Sequence, residues 1–233
     1  MEMSFEIEKK YCVLNYDLTK QLLDTKYGKH TRSVKAGYWW TEVSESLTPV
    51  LEVETHKIQK KNIEHINALA EIKIPEVDYQ YARIRVLNNE TYVFTVKNKS
   101  LVAGIEQNTE YEYELDKETI IEILKFLSKE LYIFYYNIKD TLLYTAGDVS
   151  IELSTFNDLK NAYLEIEVLG NDQEALTDTL NEVLKEFVHY PIREELLSYN
   201  QLSKNENSIA LRTKKTRDYS KEALKKLKDS IDF

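Results

Sequence analysis

Carboxylates and cations recur at every second position in this chain, the spacing that a β-strand gathers onto one face. In Phe5-Glu6-Ile7-Glu8-Lys9-Lys10-Tyr11, residues Glu6, Glu8 and Lys10 share a side, opposite Phe5, Ile7 and Tyr11. Glu165 and Glu167 repeat the arrangement between Leu164, Ile166 and Val168, and Glu152 alternates with Ile151 and Leu153. Paired carboxylates of this kind suit a hard divalent cation, which prefers oxygen ligands. The basic sets have the same period. Arg83 and Arg85 share one face, as do Thr95, Lys97 and Lys99. Arginine offers a planar fork to phosphate oxygens and lysine a compact point charge. A metal and a polyanion held side by side is the chemistry these residue types could perform.

A single strand of this kind is fully explained by a solvated polar face. Recurrence of the pattern with chosen signs of charge asks for more. Glu110, Glu112 and Glu114 alternate with Tyr111, Tyr113 and Leu115, and Lys139 lies in a long apolar-rich stretch from Leu131 to Tyr144. About eight strands result. A closed barrel with a polar lumen turns such charges inward and leaves its apolar exterior to be covered by helices. Helical spacing is present at Asp17 to Lys26, at Asp116 to Glu130 with Asp116 as N-cap, and after Asn171, which has capping-box spacing to Glu174, through Leu176, Leu180 and Phe187. The expected fold is α+β: a closed antiparallel β-barrel, or tunnel, of about eight strands with helices packed outside.

Residues 1–203 read as one tunnel domain. An insertion at about 47–78 contains a strand over Val50 to Glu54 and a helix within Thr55 to Glu71, with Thr55 as its N-cap. A further helix is expected over Arg193 to Leu202. Residues 204–233 read as a Lys-rich helical extension, helical over Lys221 to Ile231. Its Lys214-Lys215 and Lys225-Lys226 pairs fit either a solvated helix face or contact with RNA. Tyr38-Trp39-Trp40 fits either a barrel-wall aromatic cluster or a surface for stacking on a base.

Composition excludes several classes. A net charge of −9 over 233 residues argues against a general nucleic-acid or anionic-membrane binder. One cysteine, Cys12, allows no intrachain disulfide and suits a reducing compartment. No apolar run approaches the ~20 residues of a membrane span, and Met1 to Lys10 is too charged for a signal peptide. A cytoplasmic protein without membrane contact is expected, its oligomeric state left open. There is no P-loop, no G-x-G-x-x-G, no G-x-S-x-G and no Cys/His set suited to zinc.

Glu6-x-Glu8-x-Lys10 near the N-terminus resembles the E-x-E-x-K signature of the CYTH or triphosphate tunnel metalloenzyme superfamily. The resemblance extends in order through Arg83-x-Arg85, Thr95-x-Lys97, Glu110-Tyr-Glu112-Tyr-Glu114, Ser150 to Glu152 and Glu165-x-Glu167, and Ser198-Tyr199 is similar to the family's ending. It implies Mg²⁺ or Mn²⁺ as cofactor, held by Glu6, Glu8, Glu152, Glu165, Glu167 and Glu112. It implies a triphosphate gripped by Lys10, Arg83, Arg85, Lys97, Lys99 and Lys139, with Glu6, Glu8 and Lys10 as the catalytic set. The implied activity is metal-dependent hydrolysis of inorganic triphosphate, thiamine triphosphate, a nucleoside triphosphate or an RNA 5′-triphosphate. The alternatives are a class IV-type adenylyl cyclase making cyclic AMP, or a non-catalytic module that binds a nucleotide or polyphosphate. Two departures stand out. Asn108 and Glu110 lie where family members usually carry an arginine, and Lys139-Asp140-Thr141 replaces the usual K-x-R.

Overall fold

The computed structural model describes residues 5–42, 58–102, 105–170, 172–206 and 214–231. Its strands are β1 (Phe5–Val13), β2 (Thr31–Glu42), β3 (Tyr81–Leu87), β4 (Thr91–Val102), β5 (Ile105–Leu115), β6 (Leu131–Ala146), β7 (Val149–Phe156), β8 (Ala162–Gly170) and β9 (Ile192–Glu194). Their order is β5-β4-β3-β2-β6-β7-β8-β1-β9, and an additional β5–β1 pairing closes eight of them into an antiparallel barrel. Closure occurs where Phe5 to Glu8 pair with Thr109 to Glu106. On its other edge β1 runs in register with β8, placing Glu8 opposite Glu167 and Lys10 opposite Glu165. Tight turns join the hairpins. Asn88 and Asn89 adopt positive φ of 51° and 61° between β3 and β4, and Gly147 has φ of 62° between β6 and β7. These are the left-handed conformations that tight hairpin turns demand and that asparagine and glycine tolerate.

The chain divides into two compact units. The first comprises Met1–Val34, Lys99–Glu110 and Ile138–Asn207. Its core joins Ile7, Ile151, Leu153, Leu164 and Ile166 from the strands to Leu23 of α1 (Tyr16–Tyr27) and to Leu176 and Leu180 of a later helix, Gln173–Leu184. The second comprises Lys35–Asn98, Tyr111–Asn137 and Ser208–Phe233. There the outward residues Tyr38, Trp40, Ile84, Phe94 and Val96 meet α2 (Lys60–Ala70) and α3 (Lys117–Glu130) through Ile63, Ile66, Ile120, Ile123, Leu124 and Leu127. The apolar alternates thus pack under helices, and the charged alternates occupy the opposite, inner face. Helix α4 is the Gln173–Leu184 segment, α5 is Tyr199–Glu206 and α6 is Lys214–Ser230. No described helix is long and apolar enough to cross a membrane.

Local chemistry sets the helix ends. Asn15 accepts a hydrogen bond from the Leu18 amide and Asp116 one from the Thr119 amide, each satisfying an otherwise orphaned donor. Before α4 the cap is Asp172, which accepts from the Glu174 and Ala175 amides; Asn171, the expected position, lies outside the described residues. So do Val50 to Glu54 and Thr55. Helix α2 instead begins after Gln59, which makes no side-chain cap. Arg193 to Leu202 is not one helix. Ile192–Glu194 adds a short strand to the end of β1, with Tyr11 opposite Glu194, and helix begins only at Tyr199. The free edge of β1 there offers backbone partners that outcompete continued helix.

Helix α6 is part of the second unit's core. Ala223, Leu227 and Ile231 are fully or almost fully buried, and the Ser220 hydroxyl accepts the Ile133 amide. Leu227→Ala should therefore cost about 2–5 kcal/mol, the range for emptying a buried leucine site. Urea unfolding followed by circular dichroism measures it. A loss within about 0.5 kcal/mol, as at surface sites, would contradict this packing.

Candidate functional site

The inner faces carry charges that are almost sealed from water. Lys10, Arg83, Lys97 and Glu165 expose only 6–8% of their surface. Burial of this depth is costly unless each charge finds a partner, so the pairing pattern reveals what the site is built to hold.

In the first unit, strand register brings the end-strand glutamates together. Glu6, Glu8 and Glu167 each place a carboxylate oxygen within 4.8 Å of the others. Glu8 and Glu167 are direct register partners, while Glu6 lies two residues along β1 on the same face. Across the barrel closure Glu6 faces Asn108 and Glu8 faces Glu106. Asn108 is 2% exposed and donates its amide to Glu106 at 3.1 Å. Its Oδ1 is buried without a hydrogen-bond partner.

Glu152 and Glu165 behave differently. They are register partners across β7 and β8, and the Lys139 ammonium donates to both. Burial alone would lower the Lys139 pKa. The charges of Glu152 and Glu165, with their hydrogen bonds, outweigh it and raise the pKa above the ordinary lysine value. Lys10 falls on the other side of that balance. Burial lowers its pKa, and the attraction of Glu165 only partly compensates, opposed by nearby Lys99. Lys99 is ion-paired with Glu106.

Helix α5 floors this cluster. Tyr199 and Leu202 pack with Cys12, Phe156 and Tyr163. The Lys10 ammonium stands 4.6 Å from the centre of the Tyr199 ring, and Lys139 stands 5.9 Å from the rings of both Tyr199 and Phe156. Cations over aromatic faces at such distances gain electrostatic attraction. Burial, and then the charge of Glu165, push the Tyr199 hydroxyl pKa well above its usual value.

The second unit holds the arginines. Arg83 Nη2 donates to Glu112 at 2.8 Å, Thr95 Oγ1 donates to the same oxygen at 2.9 Å, and Arg85 lies 3.5 Å from it. Trp39 is the register partner of Arg83, whose guanidinium sits 5.9 Å from the indole. Tyr38 and Trp40 point the other way, into the core. The three aromatics therefore divide between wall and inner face. Gly37 makes room for this, because a Cβ there would fall 2.5 Å from Trp39 Cη2.

The structure thus gathers Glu6, Glu8 and Glu167, and separately Lys10, Lys139, Glu152 and Glu165. Glu112 lies among cations, with Arg83 and Arg85. Lys97 lies on the buried inner face of β4 in the same unit. Glu106 was missed by sequence reading, although the alternation of Glu106, Asn108 and Glu110 carried the signal. Tyr199 stood out only as part of a family-like ending.

No family model and no curated protein matches the sequence. Solved structures do match. PH1012 protein from Pyrococcus horikoshii OT3 is 19% identical with a TM-score of 0.56, spanning 84% of this chain and 98% of that one. HpAC1 from Hippeastrum, a protein with a dominant triphosphatase activity, is 16% identical with a TM-score of 0.54, spanning 86% and 96%. A chain of the Schizosaccharomyces pombe Mediator head module is 7% identical with a TM-score of 0.52, spanning 82% and 98%. This chain shares their fold.

The Arg83–Glu112 pair yields a stability prediction. Glu112→Ala leaves a buried guanidinium without this carboxylate and Thr95 without its acceptor. The expected loss is about 1–3 kcal/mol, toward the lower end because the carboxylate itself is 43% exposed. An unchanged urea midpoint would show that the pair adds nothing to folding.

Proposed function

We propose that this chain, which has the fold of the CYTH or triphosphate tunnel superfamily, is a divalent-metal-dependent triphosphatase. The observation that carries the reading is the convergence of Glu6, Glu8 and Glu167 carboxylates on the inner face, in the same unit as the buried ammonium of Lys10. An all-oxygen set fits Mg²⁺ or Mn²⁺ rather than a softer metal. The unpartnered buried Oδ1 of Asn108, opposite Glu6, adds another oxygen to this acidic neighbourhood. Glu6, Glu8 and Glu167 would hold the ion. When bound, such an ion neutralises phosphate charge and makes a water molecule more nucleophilic.

The chain's own residues do the positioning. Phosphoryl transfer depends mainly on alignment and charge stabilisation. Lys10 is a fixed point charge for a phosphate oxygen, held in place over Tyr199. Arg83 and Arg85 present forked donors whose present acceptor is Glu112, so that phosphate oxygens would substitute for one carboxylate. Lys97 adds a buried cation. No described residue set selects a base or sugar, so the site would read the phosphate chain first. Inorganic triphosphate, thiamine triphosphate, a nucleoside triphosphate and an RNA 5′ end are the substrate classes that follow. The likeness to HpAC1 supports hydrolysis. A second reading is a tunnel that binds a nucleotide or polyphosphate without turnover, since a shared fold does not carry an activity.

The test is an assay of the purified chain against a panel of triphosphates and their monophosphates, with Mg²⁺, Mn²⁺ or chelator. Metal-dependent release of phosphate from a triphosphate, with monophosphates inert, is expected. Formation of cyclic AMP from ATP would reassign the chain to the cyclase chemistry, and tight binding without turnover would favour the non-catalytic reading. Arg85→Ala should weaken triphosphate binding about ten- to hundredfold, since a charge-assisted hydrogen bond contributes roughly 1.5–3 kcal/mol. Unchanged affinity would remove Arg85 from the site.

A further inference from the structure

The geometry points to Glu112 as a specificity-determining residue: a built-in anion that occupies the seat of a phosphate group at Arg83 and Arg85 and sets a threshold for any anion that enters. The inference rests on the reading of Arg83 and Arg85 as phosphate-binding residues and adds a claim about how that seat is guarded. One carboxylate oxygen shows what the seat holds. Glu112 Oε1 accepts from Arg83 Nη2 at 2.8 Å and from Thr95 Oγ1 at 2.9 Å, with Arg85 Nη1 3.5 Å away. Donors from the adjacent strands β3 and β4 thus converge on a single point, an arrangement that suits a phosphate oxygen equally well.

Arg83 has supports other than Glu112. Its register partners are Trp39 on β2 and Thr95 on β4, one on either side. The guanidinium is 5.9 Å from the Trp39 ring, and Nη2 lies 3.4 Å from the Thr95 hydroxyl. Exposure rises from 9% for the Arg83 side chain to 21% for Arg85 and 43% for Glu112. The carboxylate is therefore the solvent-side member of the group, placed where a ligand arriving from water meets it first. A residue that served only to aim Arg83 would work as well from the buried side. Half-exposed, Glu112 regains hydration when it leaves the arginines, so the exchange is feasible. Displacement lowers affinity by the fraction of molecules in which the carboxylate has left, a factor common to every anion that needs both arginines. The result is a threshold. A weakly held anion such as orthophosphate falls below it, whereas a triphosphate has further contacts along its chain and stays bound.

Glu112→Gln keeps the size of the side chain and an acceptor oxygen but removes the charge. The experiment titrates the full chain, wild type and variant, with orthophosphate and with inorganic triphosphate by calorimetry, in chelator so that no metal contributes. Both anions should bind the variant about tenfold more tightly, the lower end of what one charge-assisted hydrogen bond is worth, because glutamine still competes as a neutral acceptor. Binding by the wild type that the substitution leaves unchanged keeps the arginines as a phosphate seat and overturns the role of Glu112 alone. Weaker binding by the variant also overturns it and makes Glu112 a support for Arg83. Absence of binding to the variant overturns both claims, since the seat would be relieved of its charge and still not take phosphate. Should Glu112→Gln fail to fold, a crystal structure of the wild-type chain with inorganic triphosphate decides. Arg83 bonded to phosphate with Glu112 turned away upholds the inference, and Glu112 still bonded to Arg83 beside bound triphosphate overturns it.

Discussion

Charge withdrawn from water has to be balanced within a few ångströms, and that constraint governs the inner face of this protein. Strands turn apolar side chains toward helices, and several of their charged side chains, among them Lys10, Arg83, Lys97 and Glu165, lie where solvent compensates them poorly. The solutions are local. In the first unit Lys139 sits between Glu152 and Glu165, and Lys99 is paired with Glu106. In the second, Arg83 and Arg85 converge on Glu112. Each solution depends on register, because a slip by one residue along a strand would send its whole charged set out under the helices. The hairpin turns at Asn88-Asn89 and Gly147 therefore matter to the site as much as to the fold.

The same constraint explains what was legible in the sequence. Alternation with period two announces which residues share a face, so Glu6, Glu8 and Lys10, or Arg83 and Arg85, could be assigned together from spacing alone. The apolar alternates, read against the helices between strands, pointed to a closed barrel with its polar side inward. Partner choice was not legible. Lys139 reaches carboxylates that are 13 and 26 residues away in sequence, and nothing local distinguishes that from a cation awaiting phosphate. Glu112 entered the metal set through the family resemblance; its placement beside Arg83 is set by a strand pairing that spacing does not encode. The segment after Pro191 was misread as continuous helix because the open edge at the end of β1 is a tertiary feature. Helix α6 read as an appendage for a similar reason. Its apolar stripe was visible, but the surface that buries Leu227 was not.

Fold by itself leaves the activity open, since HpAC1 and a chain of the Mediator head module share it with this chain. The decision lies in the residues that line the inner face. Retaining a dense carboxylate set is expensive for a protein that merely needs a stable barrel. Buried like charges raise the free energy of the folded state unless a cation joins them, and hydrophobic replacements of similar size are commonly neutral or better. Glu6, Glu8 and Glu167, partly buried and brought within 4.8 Å of one another, are the residues on which that decision turns.

The charge balance of that wall also bears on the order of events. Glu6, Glu8, Glu106, Glu152, Glu165 and Glu167 stand against the ammonium groups of Lys10, Lys99 and Lys139, of which two are already committed to glutamates. An arginine at position 108 would have tempered the excess. Asn108 adds no charge and donates its amide to Glu106. A polyanion approaching this wall alone would meet net repulsion, less screened among partly buried carboxylates than in open solvent. A divalent ion reverses the sign of the encounter. In the proposed function it would also relieve the repulsion among Glu6, Glu8 and Glu167. In the proposed function, then, electrostatics favour entry of cation and polyphosphate together or in that order.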